Sequence, residues 1–402
     1  MRNLHSCLLA APVVLAATVS AQLPPLAAGD ILVSSSGNDR LLRLDFRGQE
    51  LASLSFAGLA HPRGIVAAPD GTLFLSSQNS SEVLVLGRAL TLQRRFATAG
   101  VTGPTGAALG ANGHLYVAGF SSSNVGEYRT DGSLVRTYSD PSLRFSNCVA
   151  FHPDGSFFVS SAGTGSVVHF EANGSLRRSF TGFGLASPMG MAVWNGELFV
   201  TGGSSNNIVV FDLDGTALRQ IRHADLSGPQ GIAFRRDGVF ATCSFYQDTV
   251  SWFDADGSHV GTMTPDSTRV PRSVAYLEGA RIDANGDPVP GTPYTFDVHS
   301  PFEPGSLYAN ALALSTAPGL PLPDGRTIQL TPDPLFFASL SPNPAFQGFL
   351  GSLDATGSAN LTLALPALPV LQGLTLHSAA LTVDLAHPGL IRQFSAPVTW
   401  SL

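Results

Sequence analysis

The sequence predicts an all-β chain: a six-bladed β-propeller followed by a β-sandwich. Three observations carry that expectation: a repeat of near-constant length, a fixed order of strands and hairpin turns inside each repeat, and a change of composition where the repeat stops. The repeat shows in six starts: HPRGIVAAPDG from His61, GPTGAALGANG from Gly103, FSNCVAFHPDG from Phe145, SPMGMAVWNGE from Ser187, GPQGIAFRRDG from Gly228 and VPRSVAYLEGA from Val270. Their second residues, Pro62, Pro104, Ser146, Pro188, Pro229 and Pro271, are spaced 42, 42, 42, 41 and 42 apart. A fixed period of this size marks a stacked repeat architecture.

Each complete unit begins with a short apolar strand and a turn such as Asp70-Gly71 or Asp154-Gly155. A second strand follows (LFLSS, LYVAG, FFVSS, LFVTG or VFATC), then a small polar loop and a third strand (VLVL, VGEY, VVHF, IVVF or VSWF). A second turn, as at Asp131-Gly132, Asn173-Gly174, Asp214-Gly215 and Asp256-Gly257, leads to a last strand. Asp-Gly and Asn-Gly supply the positive φ that tight hairpins need. Four antiparallel strands per period are one propeller blade rather than a helical repeat. Residues 31–56 match the second, third and fourth strands without a first, and residues 271–277 supply a first strand alone. Together these ends make a sixth blade, and their pairing closes the ring and leaves no open sheet edge.

Composition separates the second unit. Residues 282–402 hold eight carboxylates and two arginines, net −6, whereas the preceding 281 residues hold 21 acids and 20 arginines, net −1. Proline shifts as well, with 16 of 28 after residue 282. GARIDANGDPVPGTPY reads as a joint over 279–293. Asp283-x-Asn285-x-Asp287 has the spacing that opens a calcium loop, but Pro288 and Tyr294 occupy its glycine and bidentate glutamate positions, so a turn is expected. From 294 to 402, TFDVHS, SLYANALALS, FQGFLGSLD, SANLTLALP, LTLHSAALTVD and FSAPVTWSL alternate as strands with one buried face. No helix-length amphipathic segment lies between them, which predicts the sandwich.

The first residues, MRNLHSCLLAAPVVLAATVSAQ, combine an early arginine, an apolar run and a small-x-small site ending at Ala21. This is the pattern of a secretory signal peptide over 1–21, its run being shorter than the ~20 residues of a membrane span. A secreted, periplasmic or cell-envelope protein is expected, with the propeller over 22–278. Cys7 falls in the signal, so Cys148 and Cys243 remain. They lie in blades that are not neighbours, and no disulfide framework is expected.

Charge excludes several chemistries. Only 13% of residues are charged, and all 22 basic residues are arginine. Without lysine there is no Schiff base, lysine general base or Walker-type phosphate loop. Net −7 with scattered arginines argues against a nucleic-acid partner. Gly-x-Ser-x-Gly, His-Glu-x-x-His and Cys-x-x-Cys are all missing, and the ten histidines show no close metal-ligand spacing.

The pattern Pro-x-Gly-Ile-Ala, Asp-Gly, Leu-Phe-Val and Phe-Asp-x-Asp-Gly, as in Phe211-Asp212-Leu213-Asp214-Gly215 and Phe253-Asp254-Ala255-Asp256-Gly257, resembles NHL-repeat six-bladed propellers over about residues 31–277. These are relatives of the SMP-30/gluconolactonase and streptogramin lyase groups. The resemblance implies a functional top face where the loop entering each first strand meets the central channel. The residues after the six anchors are then the ligand-binding candidates: Arg63, Thr105, Asn147, Met189, Gln230 and Arg272. Because the last strand closes on the first, Arg272 and Arg63 belong to neighbouring blades. Two guanidiniums at one side of the mouth are expected to clamp a carboxylate, sulfate or phosphate group, the alternative being ordinary loop residues that meet solvent or backbone carbonyls.

Metal-dependent relatives imply an aspartate ending the second strand. The aligned positions here are Ser35, Ser77, Gly119, Ser161, Gly202 and Cys243, so every blade lacks it. Asn147 resembles the amide ligand of a Ser-Asn-Gly segment in gluconolactonase-like enzymes. No acid can be placed beside it, however, and by itself it reads as a hydrogen-bonding cap at a strand start. The lyase pattern implies a histidine after the anchor proline, but His61 precedes Pro62. No metal, cofactor or catalytic residue is therefore assigned.

The loops after the second strands are rich in serine and asparagine, and among them Phe245 and Tyr246 are the candidate partner anchors. The expected function is a secreted, non-catalytic binding propeller, a monomer whose top face takes a protein, a glycan or a small anionic ligand. The competing expectations are an extracellular lactonase or lyase acting on an anionic, sugar-derived substrate, and a purely structural cell-envelope component. The second unit resembles accessory modules of secreted bacterial proteins.

Overall fold

The computed structural model of the chain describes residues 30–402 except 46–47, 69, 236–237, 278–280, 285, 301–304, 322–326, 356, 384–390 and 396. The expected signal peptide lies outside the described residues. In blade 2 the strands Pro62–Ala67, Leu73–Ser77, Glu82–Leu86 and Leu92–Ala97 pair in chain order. The same order starts again at Pro104, Ser146, Pro188 and Pro229, giving blades 3 to 6. Blade 1 joins the two ends, with Pro271–Tyr276 pairing antiparallel to Ile31–Ser35, followed by Arg40–Leu44 and Glu50–Leu54. Each blade's first strand packs on that of the next, and Pro271–Tyr276 packs back on Pro62–Ala67. Six four-stranded sheets thus close a ring.

The middle strands are covered by blades on both faces. LFLSS, LYVAG and FFVSS are buried at every position, which is why they read as near-continuous apolar runs rather than alternating ones. Outer strands such as Leu134–Tyr138 are largely exposed. Six apolar clusters lie one to each blade interface. Leu32 and Leu41 meet Ile65, Leu75 and Leu84 between blades 1 and 2, and Val33 and Leu42 meet Ala241, Cys243 and Val250 between blades 6 and 1. Both cysteines are free, and Cys243 serves as a small apolar core residue.

Around the channel the first strands approach to backbone contact. A Cβ on Gly64 would lie 2.5 Å from the carbonyl oxygen of Thr105, one on Gly106 2.6 Å from that of Asn147, and one on Gly190 2.4 Å from that of Gln230. Only glycine permits this spacing, which explains the Pro-x-Gly signature. Every first strand also carries a bulge directly after its anchor: Pro62 pairs with Ser77 and Ile65 with Leu75, so Arg63 and Gly64 together oppose Ser76. Equivalent shifts follow Pro104, Ser146, Pro188, Pro229 and Pro271. A bulge takes residues out of the ladder and re-aims them.

The second unit is a sandwich. One sheet contains Tyr294–His299, Ser358–Leu363 and Phe346–Gln347; the other contains Leu307–Ala313, Thr375–Val383 and Val398–Ser401. Phe296, Leu361 and Leu363 of the first pack on Tyr308, Leu312, Leu376 and Trp400 of the second. Arg281–Asp283, inside the segment expected to be a joint, pairs with Asp297–His299, so the sandwich begins within it. A six-residue helix, Pro334–Ser339, is capped by Asp333, whose carboxylate accepts from the Phe336 N–H at 2.9 Å. Among the described residues no helix is long and apolar enough to cross a membrane.

The few charges are gathered into networks. Glu127, with a side chain 3% exposed, accepts from Tyr138 Oη at 2.6 Å, Arg136 Nε at 2.8 Å and Asn112 Nδ2 at 3.1 Å, and lies 2.7 Å from His114 Nδ1. Burial alone would raise its pKa; these donors outweigh that and lower it to about 2. A carboxylate with a depressed folded pKa stabilises the fold above its unfolded value and loses that contribution as pH falls. Wild type should therefore lose stability from about pH 4.5 to about 2. In thermal melts from pH 7 down to about 2, Glu127→Gln should be less stable at pH 7 and flatter in acid. Gly106→Ala should lower the melting midpoint by the equivalent of about 1–3 kcal/mol, because the blades must separate. Gly261→Ala, where an added Cβ meets nothing within 4 Å, should not.

Candidate functional site

The bulge places the residue after each anchor at one end of the ring, beside the loop that follows the second strand. The first loop residue donates its N–H to the carbonyl of the residue before the anchor: Ser36 to Val270, Gln78 to His61, Phe120 to Gly103, Ala162 to Phe145, Gly203 to Ser187 and Phe245 to Gly228, at 2.9–3.2 Å. Channel residues and loop crown are thus one face.

Ring closure sets Arg63 of blade 2 beside Arg272 of blade 1, and both line a cavity of about 30 Å³ at the channel axis. Thr105, Asn147, Cys148, Ser273 and the glycines at 64, 106, 190 and 231 complete the lining. Arg63 Nε donates to Gln78 Oε1 at 2.7 Å. Arg272 donates from Nε to Ser36 Oγ at 3.1 Å and from Nη1 to Gln230 Oε1 at 3.2 Å, and its guanidinium stacks 4.2 Å from the Phe245 ring centroid. Among the described residues neither arginine meets a carboxylate. Burial first, then the other guanidinium, lowers the Arg63 pKa to about 9; burial lowers that of Arg272 to about 10. Both stay charged at neutral pH. His61, pushed down to about 4 by burial and then by Arg63 and Arg272, is neutral there.

Asn147 supplies a third donor. Its Nδ2 is buried without a hydrogen-bond partner, so it is not the strand-start cap expected of it. A buried unpaired N–H group needs an explanation such as a ligand. Thr105 differs from expectation: it is fully buried, its hydroxyl 3.1 Å from the carbonyl oxygens of Ala118 and Ser146, and it stitches blades 3 and 4 together. Gln230 is buried and positions Arg272 rather than lining the cavity, while Met189 lies over Gly203 outside the lining. Phe245 is taken up by Arg272 and by the Tyr246 ring 4.7 Å away; Tyr246 is 72% exposed.

Sequence reasoning missed Ser36 and Gln78, which orient the arginines, although each is the first residue after a second strand and so shares the anchors' register. It also placed Cys243 at the end of a second strand. The pairing of Pro229 with Ser244, as of Pro62 with Ser77, shows that Ser244 holds that place. Ser77, Ser161 and Ser244 bond instead to the loop entering their own blade, as in Ala60 N to Ser77 Oγ at 2.9 Å and Arg144 N to Ser161 Oγ at 2.8 Å. The cavity presents N–H donors, and its described lining contains no carboxylate. A hard divalent cation needs oxygen ligands, so these residues do not fit one.

Solved structures share this fold at low identity. They include virginiamycin B lyase from Staphylococcus aureus at 11% identity, TM-score 0.51, covering 64% of this chain and 88% of that one. A protein of unknown function from Bacteroides caccae is 15% identical, with TM-score 0.52 over 62% and 98%. A catalytically inactive form of the Staphylococcus aureus lyase with quinupristin is 10% identical, with TM-score 0.50 over 69% and 95%. No protein-family model matches the chain, and no curated protein does. The likeness is one of β-propeller fold.

The electrostatics of the mouth can be read from His61. Its imidazole should titrate near pH 4 in the wild type, and its midpoint should move upward in an Arg63→Ala, Arg272→Ala variant, as followed by histidine-selective NMR. An unmoved midpoint would show that the guanidiniums do not act on it.

Proposed function

We propose that the chain is a secreted or periplasmic binding propeller whose channel mouth takes a small oxyanion between Arg63 and Arg272. The observation that carries this reading is a set of donors that meets only neutral acceptors or none: two half-buried guanidiniums without a carboxylate partner and the unpartnered Asn147 Nδ2 line one cavity. Guanidinium forks match the planar geometry of carboxylate, sulfate or phosphate oxygens. A bound anion would also offset the burial that, ahead of repulsion from Arg272, depresses Arg63.

The cavity has room for about two water-sized groups. The anionic group enters while the body of the ligand rests on the serine- and asparagine-rich loops, where Tyr246 offers an exposed ring. Neutral hydroxyls on that crown suit a sugar acid.

The test is calorimetric titration and thermal shift of the chain lacking residues 1–21 with sulfate, phosphate and galacturonate. A bound anion should raise the melting temperature, since a ligand selective for the native state must do so. Arg63→Ala and Arg272→Ala should each weaken binding about tenfold or more, with Asn147→Ala less severe. Binding that survives the double arginine variant unchanged would end the proposal.

A further inference from the structure

Away from the channel, the geometry points to a second site: a zinc-class divalent cation held by His223, Asp225 and His259 at the outer rim between blades 5 and 6. His223 and Asp225 lie in the segment joining the outer strand of blade 5, Ala217–Ile221, to the inner strand of blade 6, Pro229–Phe234. His259 opens the outer strand of blade 6, His259–Met263. One donor atom from each residue falls within 4.8 Å of the other two.

The distances suit such an ion. His223 Nδ1 lies 3.5 Å, and His259 Nε2 3.2 Å, from the same carboxylate oxygen, Oδ2 of Asp225. Tetrahedral zinc with bonds of about 2.0–2.1 Å separates neighbouring ligand atoms by roughly 3.3 Å. The two imidazoles stack with centroids 4.2 Å apart and planes 17° apart, and the Phe253 ring backs both at 5.7 and 5.2 Å, so their orientation is set by packing. The Asp225 N–H donates to His223 Nδ1 at 3.2 Å, so that nitrogen carries the lone pair, which zinc would take over from the N–H. The Thr262 hydroxyl donates to Asp225 Oδ2 at 2.6 Å and lies 2.9 Å from His259 Nε2; with zinc bound, the contact to Nε2 would give way to the metal and the bond that orients the carboxylate would remain.

Two imidazoles with one carboxylate select zinc, cobalt or nickel over calcium and magnesium, which take oxygen ligands. The three side chains are 27–37% exposed, which leaves a fourth position open to water. The ion would tie the outer strand of blade 6 to the segment that leads into that blade from blade 5.

The experiment uses the chain lacking residues 1–21, stripped with EDTA and titrated with Zn²⁺ by calorimetry, with Co²⁺ as a spectroscopic probe. One equivalent of zinc should bind and raise the melting temperature, with no such rise in Ca²⁺ or Mg²⁺. Cobalt should show the strong visible bands of a four-coordinate ion. His259→Ala should abolish stoichiometric binding, and Thr262→Val should weaken it about tenfold. If His259→Ala melts early without metal, Asp225→Asn and the cobalt spectrum decide instead. Absence of saturable zinc uptake by the wild type, or wild-type affinity in Asp225→Asn, overturns the site.

Discussion

Backbone contact between neighbouring inner strands is the constraint on which the rest of this molecule depends. At Gly64, Gly106 and Gly190 the next blade's carbonyl oxygen occupies the place of a side chain, so the channel can be only as wide as the glycine spacing allows. That narrowness fixes the site. The residue after each of the six anchors sits in a bulge at the channel mouth, whatever its chemistry. Where the ring departs from glycine, at Cys148 and Ser273, the preceding residues are Asn147 and Arg272, two of the three donors that line the cavity.

Hydroxyl groups hold the blades together where carboxylates are scarce. Ser34 accepts from the Ser273 N–H at 2.9 Å and donates to the Arg63 carbonyl at 2.6 Å, joining blades 1 and 2 across the bulge. Ser160 does the same between Cys148 and Met189, and Thr201 between Gly190 and Gln230. Blade 3 has Ala118 in that position, and Thr105 supplies the hydroxyl from the inner strand instead. This substitution removes Thr105 from the candidate ligand set. A hydroxyl both donates and accepts, so it can satisfy the N–H freed by a bulge and a neighbouring carbonyl together, which a carboxylate cannot.

The fold was legible because its signals are periodic. Pro-x-Gly at fixed spacing and Asp-Gly at each hairpin report backbone requirements that only a few residue types meet. The convergence of Arg63 and Arg272 was legible for the same reason, since ring closure follows from the two partial units. Side-chain direction was not. Asn147 lacks the backbone partner its position suggested, Gln230 turns to Arg272, and Met189 leaves the lining; each outcome depends on neighbours in another blade. The cluster of His223, Asp225 and His259 was hidden in the same way, its third member coming from the outer strand of the next repeat.

The same register logic sets the backbone of the mouth. The residue before each anchor is left-handed in all six blades, including Val270 at φ 52° and His61 at φ 58°, conformations that a branched or bulky side chain rarely adopts. Each of those two is held by an acid from the mouth loop of the preceding blade. Asp248 Oδ1 accepts from the Val270 N–H and Asp39 Oδ1 from the His61 N–H, both at 2.6 Å. Two acids of the mouth loops are therefore committed to backbone geometry next to Arg272 and Arg63. Among the described residues neither carboxylate forms an ion pair with Arg63 or Arg272; each uses a lone pair to hold the left-handed turn before its anchor.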